Sequence, residues 1–170
     1  MALPEREGMD FDVVIVGAGP AGLAAAIRLK QLSSDVSIVV VEKGSEVGAH
    51  ILSGAVIDPA GLDGLLPGWR QDEARPLKTA VERDEFMFLT KNSGVTMPNV
   101  FFPKLMSNHG NFVGSLSNVT KYLGAKAEEL GVEIYPGFPA AEVLYDAAGA
   151  VVGVATGDLG IGKSGEPRDD

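Results

Sequence analysis

The sequence has no cysteine and only two histidines, His50 and His109, among its 170 residues. Without cysteine the chain can form no disulfide, present no thiolate nucleophile and hold no cysteine-ligated iron-sulfur cluster. We also expect no metal site from two isolated histidines. The composition therefore points away from cysteine-based and metal-based chemistry within these residues.

Basic residues and long apolar runs are also scarce. Lys and Arg number 14 against 23 Asp and Glu, and the net charge of -9 argues against a nucleic-acid partner. Residues 1–10 are acidic and polar, unlike a secretory signal, so we expect a cytosolic-facing protein. Residues 13–27 lack charge, but a membrane span needs about 20 residues. Since glycine and proline also interrupt this run, no transmembrane helix is predicted.

The sequence does contain a glycine-rich turn between an apolar strand and a helix. Residues 13–16 (Val-Val-Ile-Val) are typical of a central strand in a parallel sheet. Gly17, Gly19 and Gly22 have the spacing Gly-x-Gly-x-x-Gly, which allows a tight turn, close approach of a pyrophosphate and close helix packing. Pro20 is tolerated in a first helical turn, whose free N–H groups attract anions. The stretch predicts a phosphate-binding turn.

Glu42 stands at the end of a second apolar strand, residues 38–41, about 20 residues after Gly22. An acidic side chain in this position accepts hydrogen bonds from the adenosine ribose. Its charge also repels a 2′-phosphate, so FAD or NAD fits better than NADP. The alternative interpretation is an ordinary βαβ unit that binds nothing, with Glu42 as a solvated strand-end charge.

The remaining pattern predicts an α/β protein with a Rossmann-like FAD/NAD(P)-binding parallel sheet, added β-hairpins and an incomplete C-terminus. In the first helix, Gly22, Ala25, Leu29 and Leu32 are expected to face the sheet. The later elements are a hairpin over 86–90 and 95–97, a helix from Ser115 or Ser117 to Leu130, a third parallel strand at 132–135, and a hairpin over 142–145 and 151–156.

Two segments allow more than one interpretation. A short helix capped by Asp58 places an apolar stripe on one side, formed by Leu62, Leu65, Leu66 and Trp69. This stripe predicts either core packing or contact with a membrane interface, where Trp is favoured. Residues 108–111, Asn-His-Gly-Asn, either reach a cofactor ring or form a turn.

Several stretches together resemble the electron-transfer flavoprotein-ubiquinone oxidoreductases, of the glutathione-reductase-like flavoprotein superfamily. They are residues 13–22, 41–43, 48–55, 58–59, 108–111 and 131–138, and the resemblance extends over residues 11 to about 166. The glycine motif is common to many flavoproteins, whereas Gly-Ala-His-x-Leu-Ser-Gly and Asn-His-Gly-Asn are much narrower. The resemblance implies an FAD enzyme that passes electrons from reduced electron-transfer flavoprotein to membrane ubiquinone.

The resemblance also implies FAD-binding residues, but no catalytic side chain. Those expected at the pyrophosphate are Gly17, Ala18, Gly19, Pro20, Ala21 and Gly22. Those expected along the adenosine side are Glu42 at the ribose, Lys43, Gly48 and Ala49, with the Val143 backbone near the adenine. Ser53 and Gly54 are expected to approach the flavin.

Members of this family attach to one face of a membrane, partly through a segment corresponding to residues 54–70. With this resemblance, membrane contact and core packing become equally good interpretations of the apolar stripe. It implies a peripheral position, on the cytoplasmic face of the inner membrane in a bacterium.

The chain departs from the family in length and in its lack of cluster cysteines. We therefore expect an N-terminal fragment, inactive alone, with a [4Fe-4S] cluster only in the missing C-terminal part. Within it, residues 1–10 form a lead-in, 11–156 a partial FAD-binding domain with an insert at about 55–112, and 157–170 a polar tail. Two alternatives are a geranylgeranyl-reductase-like FAD enzyme and a non-catalytic dinucleotide-binding fragment.

Overall fold

The computed structural model describes residues 8–51, 54–103 and 106–157. The chain divides into two compact units, residues 1–50 with 123–170, and residues 51–122. The predicted lead-in and polar tail fall largely outside the described residues, and the predicted bounds of the insert remain a prediction.

Among the described residues, the first unit contains five strands, one whole α-helix and part of another. Its elements are β1 (Val13–Val16), α1 (Pro20–Leu32) and β2 (Ile38–Glu42), followed after the second unit by β8 (Glu133–Pro136), β9 (Ala140–Tyr145) and β10 (Val151–Thr156). The second unit contains β3 (Ala55–Ile57), α2 (Ala60–Leu65), β4 (Thr79–Ala80), β5 (Phe86–Leu89), β6 (Gly94–Met97) and β7 (Phe112–Gly114). Helix α3 (Leu116–Glu129) begins in the second unit and continues into the first.

A parallel three-stranded sheet in the order β1-β2-β8 organises the first unit. Strand β2 lies in the centre, and its residues Ile38–Val41 are all buried. Strand β1 pairs only with β2 among the described residues, and Val14 and Val16 on it are 38% and 60% exposed. The prediction that β1 is a central strand is therefore wrong for the described sheet, because a central strand needs a partner on both sides.

Helix α1 connects β1 to β2 but buries a different face from the predicted one. Its buried side chains are Leu23, Ala26 and Ile27, whereas Ala25 is exposed and Leu32 is 69% exposed. Alanine and leucine residues of this helix lie on most of its faces, so the hydrophobic pattern does not indicate which face is buried. On the predicted face, Gly22 packs as expected against the end of β1, and Leu29 is half-buried.

The predicted second long helix and the strand that follows it are both confirmed, as α3 and β8. Ser115 precedes the helix, and its carbonyl accepts the Val119 N–H at 3.1 Å. Val119, Leu123 and Ala127 are buried at helical spacing, while Leu130 lies beyond the helix and is 41% exposed. Strand β8 then joins β2 in parallel, as the third strand of the predicted sheet.

Strands β9 and β10 form the second predicted hairpin, a separate two-stranded antiparallel sheet. The Asp146 carboxylate accepts the N–H groups of Ala148 and Ala150, each at 2.8 Å, and Gly149 has a φ of +83°. These bonds close the turn at the position that the sequence indicates.

The second unit combines a small antiparallel sheet, order β3-β7-β4, with the separate hairpin β5-β6. Trp69, Leu77 and Leu62 form its buried interior, with Trp69 edge-on to Phe112 at a centroid distance of 5.7 Å. The hairpin is the one predicted, and the turn closes as Thr90 N–H donates to the Ser93 carbonyl at 2.7 Å.

Candidate functional site

The glycine-rich turn lies where β1 ends and α1 begins. The Gly17 N–H donates to the Val41 carbonyl at 2.8 Å, which fixes the start of the turn to β2. Hydrogen bonding within α1 begins where the Leu23 N–H donates to the Gly19 carbonyl at 3.0 Å. The N–H groups of Ala21 and Gly22 precede that bond and point along the positive end of the helix dipole. No acidic residue occupies the first turn of α1.

The fold of the polypeptide requires glycine at two of the three motif positions. Gly17 has a φ of +101°, which side chains rarely tolerate. A Cβ on Gly22 would lie 2.2 Å from the Gly17 carbonyl oxygen, so close packing requires glycine there. Gly19 has an ordinary φ of -78°, and a Cβ on it would meet nothing within 4 Å. The polypeptide itself therefore does not require glycine at position 19.

Glu42 projects its carboxylate between the turn after β1 and the loop after β2. Oε2 accepts the Ala18 N–H at 2.8 Å, and Oε1 accepts the Gly44 N–H at 2.7 Å. The side chain is half-buried, and Ala18 is buried. The ligand-binding role of Glu42 remains a prediction. Sequence reasoning missed these two backbone contacts, because they depend on the tertiary approach of the two segments.

Of the other predicted cofactor residues, three come shortly after the end of β2 and one lies in β9. Lys43 is exposed, Gly48 is buried with a φ of +81°, and the Ala49 N–H donates to the Glu46 carbonyl at 3.2 Å. Val143 lies in β9, opposite Val154, and is 43% exposed.

The two residues predicted near the flavin belong to the second unit. Gly54 is exposed with a φ of +92°. Ser53 lies outside the described residues, so its assignment remains a prediction.

The predicted lipid-facing stripe is corrected in part. Trp69 is 1% exposed and Leu62 is 7% exposed, so neither is available to a membrane in this fold. Leu65 and Leu66 are half-buried. The physical reason is the packing of Trp69 against Phe112, with the indole N–H donating to Asp63 Oδ1 at 2.8 Å.

Asp63 and Arg70 complete a polar cluster that sequence reasoning missed. Arg70 donates to Asp63 from Nε at 3.0 Å and from a terminal nitrogen at 2.9 Å. Its guanidinium lies 4.7 Å from the Trp69 ring centroid and 5.4 Å from that of Phe112. The seven-residue spacing from Asp63 to Arg70 crosses the end of α2, so no helical periodicity signals the pair.

Residues 108–111 form a turn, one of their two predicted roles. The Asp84 carboxylate accepts the Asn108 N–H at 2.8 Å, and the Asn111 N–H donates to the Asn108 carbonyl at 3.0 Å. Gly110 has a φ of +89°, while His109 is exposed. A role at a cofactor ring for this segment remains a prediction.

An open cavity of about 620 Å³ lies within the second unit. Asp58, Asp63, Arg70, His109 and Asn111 contribute to its lining. Of these side chains, Asp58 caps a helix, Asp63 and Arg70 form an ion pair, and Asn111 bonds within a turn. None of the predicted cofactor-binding residues lines the cavity.

Residues 8–51, 54–103 and 106–157 contain no group of three or more His, Asp or Glu side chains arranged to hold a metal ion. Within the same ranges, no helix combines the length and the apolar character needed to cross a membrane.

The parallel βαβ arrangement and its glycine-rich turn define a Rossmann-like dinucleotide-binding fold. A family described as NAD(P)-binding Rossmann-like domain matches residues 15–71. Two solved structures share the fold. One is a geranylgeranyl bacteriochlorophyll reductase-like protein from Thermoplasma acidophilum, with a TM-score of 0.60 and 19% sequence identity. This match covers 86% of this chain and 34% of that protein. The other is a flavin-dependent brominase, with a TM-score of 0.58 and 20% sequence identity. This match covers 87% of this chain and 34% of the brominase.

In sequence, the chain is homologous to electron transfer flavoprotein-ubiquinone oxidoreductases. It is 55% identical to the mitochondrial protein of that name from Oryza sativa subsp. japonica, over 96% of this chain and 28% of the relative. It is 54% identical to the Pseudomonas aeruginosa protein, over 97% of this chain and 31% of that relative. A protein named as a probable member in Acinetobacter baylyi is 56% identical, over 96% and 30%. The chain thus spans less than a third of the length of these relatives, and the resemblance expected from its motifs is confirmed.

Proposed function

We propose that this chain is the FAD-binding part of an oxidoreductase that passes electrons from reduced electron-transfer flavoprotein to ubiquinone. The names of its relatives at 54–56% identity support the reaction. The activity belongs to the whole protein, of which such a chain supplies the nucleotide-binding scaffold. A [4Fe-4S] cluster in that protein would depend on residues outside this cysteine-free sequence.

The observation that carries the dinucleotide site is the open space in front of Gly19. Neither backbone strain nor packing requires glycine there, since its φ is -78° and a Cβ would meet nothing within 4 Å. A bound pyrophosphate does require it, because the phosphates approach the backbone of the turn closely. The residues present therefore fit the diphosphate of FAD.

The turn would hold the pyrophosphate through the N–H groups at the start of α1, with Gly17 and Gly22 fixing its shape. Glu42 would face the adenosine ribose, and Lys43, Gly48, Ala49 and Val143 would follow the adenosine side. FAD, when bound, supplies the redox chemistry. The polypeptide binds and orients it, and this chain contributes no proton-transfer step of its own to the proposal.

We place the peripheral membrane contact on the hairpin β5-β6 rather than on the buried part of the α2 stripe. Phe88, Leu89 and Val95 on this hairpin are 65%, 71% and 61% exposed. Apolar side chains clustered on a surface mark contacts with lipid or protein, and the proposed acceptor, ubiquinone, resides in a membrane. In a bacterium this surface would face the inner membrane from the cytoplasmic side.

The dinucleotide site is tested by FAD titration of the natural polypeptide that carries this sequence, after removal of its flavin. Gly19→Val should weaken FAD binding by about five- to 150-fold, since overpacking costs about 1–3 kcal/mol. The midpoint of urea unfolding should stay near that of the unmodified protein, because a Cβ at position 19 meets no protein atom within 4 Å.

Gly64→Val is the matched control. It adds the same side chain in open space within the second unit, so both FAD affinity and stability should be retained. Gly22→Val cannot serve, because its clash with the Gly17 carbonyl would disturb the fold itself. Unchanged FAD affinity in Gly19→Val would contradict the proposed site.

A further inference from the structure

We propose that Glu42 is a positioning residue, which holds the phosphate-binding turn in its binding geometry before any nucleotide arrives. This inference rests on the proposed dinucleotide site and adds a role that needs no contact with the ligand. The predicted role of Glu42 at the ribose needs ligand hydroxyl groups, so the two roles can be separated by experiment.

The carboxylate spans two segments that must be placed relative to each other. One oxygen accepts the N–H of Ala18, which lies between the first two motif glycines, at 2.8 Å. The other accepts the N–H of Gly44, on the loop after β2, at 2.7 Å. Both distances fall in the range of charge-assisted hydrogen bonds, which are roughly twice as strong as neutral ones. The orientation of the Ala18 peptide in turn sets the path of the chain into Gly19.

Backbone contacts fix the residue that carries this carboxylate. The Glu42 carbonyl accepts the Phe138 N–H at 2.9 Å, and the Gly44 carbonyl accepts the Gly137 N–H at 2.7 Å. These bonds join the end of β2 to the segment after β8. The side chain therefore extends from a rigid strand end to a turn whose glycines confer little rigidity of their own.

Glu42 can serve both roles at once. Each oxygen of an ionised carboxylate offers about two acceptor sites, so each backbone N–H leaves capacity for a ribose hydroxyl. If the ribose contact were its whole contribution, removing the ribose hydroxyls would remove any effect of mutating Glu42. If Glu42 also positions the turn, an effect persists with a ligand that lacks those hydroxyls.

Asp12 provides a matched comparison at the opposite end of the same strand pair. Its carboxylate accepts the Ser37 N–H at 2.8 Å and the Ser37 hydroxyl at 2.7 Å. These bonds lower the pKa of Asp12 below its usual value. Asp12 thus ties β1 to β2 through a carboxylate as Glu42 does, but at the end away from the glycine-rich turn.

The test measures the affinity of the flavin-free natural polypeptide for ADP and for 2′,3′-dideoxy-ADP by calorimetry. Glu42→Gln keeps the size of the side chain but turns an N–H₂ group toward a backbone N–H donor. We expect Glu42→Gln to weaken 2′,3′-dideoxy-ADP binding by about tenfold, the loss typical of one hydrogen bond to a charged group. Asp12→Asn should leave both affinities within about twofold of the unmodified protein.

A second measurement follows hydrogen exchange at the Ala18 and Gly44 amides without nucleotide. Both should exchange faster in Glu42→Gln and at the original rate in Asp12→Asn. If Glu42→Gln does not fold, Glu42→Asp replaces it, since its shorter carboxylate retains the charge but not the reach to both N–H groups.

The outcomes separate this inference from the proposed function. Equal 2′,3′-dideoxy-ADP affinities for the unmodified protein and Glu42→Gln would overturn the positioning role while leaving the dinucleotide site intact. An equal loss in Asp12→Asn would overturn it as well, because the effect would then belong to the strand pair in general. Failure of the unmodified protein to bind ADP would overturn the proposed site, and the positioning role with it.

Discussion

Asp63 shows how much of the second unit depends on one carboxylate. It accepts hydrogen bonds from the indole of Trp69 and from two nitrogens of Arg70. The Arg70 bonds first, and the Trp69 bond second, lower the pKa of Asp63 below 3.8, its ordinary value. A lowered pKa in the folded state contributes stability above the unfolded pKa, and this contribution is lost as the pH falls through the folded value.

Asp63→Asn should therefore destabilise the natural polypeptide at pH 7 and much less below the folded pKa of Asp63. At low pH the original carboxyl is itself protonated, so the two proteins become alike. Urea unfolding monitored by Trp fluorescence at both pH values measures the difference. Asp10→Asn, the same change at an exposed position, is the control. A loss of stability that is equal at both pH values would contradict the assignment.

At the residue scale, the sequence anticipated what the turn needs but not what holds it in place. The structural need for glycine at positions 17 and 22 follows from the motif spacing, because the motif is local and contiguous. The role of Gly19 at a pyrophosphate remains a prediction. The contacts of Glu42 with Ala18, and of Asp63 with Trp69, join residues whose approach depends on the fold. Such contacts have no signature in composition or periodicity.

At the scale of elements, strong patterns succeeded and ambiguous ones failed. The hairpins β5-β6 and β9-β10 have short strand-forming runs around clear turn residues, and both were predicted correctly. Helix α1 offers apolar side chains on nearly every face, so its buried face was misassigned. The α2 stripe was consistent with lipid or core, and only the packing of Trp69 distinguishes the two.

The hairpin β5-β6 carries the membrane proposal, so a cross-strand pair on it provides the test. Phe88 lies opposite Val95 in the register. Phe88→Asp with Val95→Asp should lower co-sedimentation of the natural polypeptide with phosphatidylethanolamine and phosphatidylglycerol vesicles by at least about tenfold. Each apolar side chain that leaves the lipid forfeits roughly 1.5–3 kcal/mol.

The control is the equivalent pair on the other hairpin. Tyr145 and Val151 are opposite each other in β9 and β10 and are 62% and 64% exposed. Tyr145→Asp with Val151→Asp adds the same two charges, so vesicle binding should persist. Undiminished binding of the β5-β6 variant, with its circular dichroism unchanged, would exclude the hairpin as the contact.

At the scale of the whole molecule, the proposed function divides the cofactors between two parts of the polypeptide. This chain would provide the FAD scaffold, and a [4Fe-4S] cluster would be held by residues outside it. An electron paramagnetic resonance spectrum of the reduced natural polypeptide tests this division. A [4Fe-4S] signal beside flavin is expected, and its ligands must come from outside these 170 residues, which lack cysteine. Flavin without a cluster would instead favour a geranylgeranyl-reductase-like enzyme, or a relative whose cluster lies on another subunit.

The pairing of β1 has a practical consequence for anyone handling these residues by themselves. Its outer edge presents backbone N–H and C=O groups that no described strand covers, and Val14 and Val16 on the same strand are exposed. Uncovered strand edges template pairing with other chains and so promote aggregation. Precipitation of the separate segment would therefore reflect the chemistry of this edge, and would carry no information about how well the turn at Gly19 receives a nucleotide.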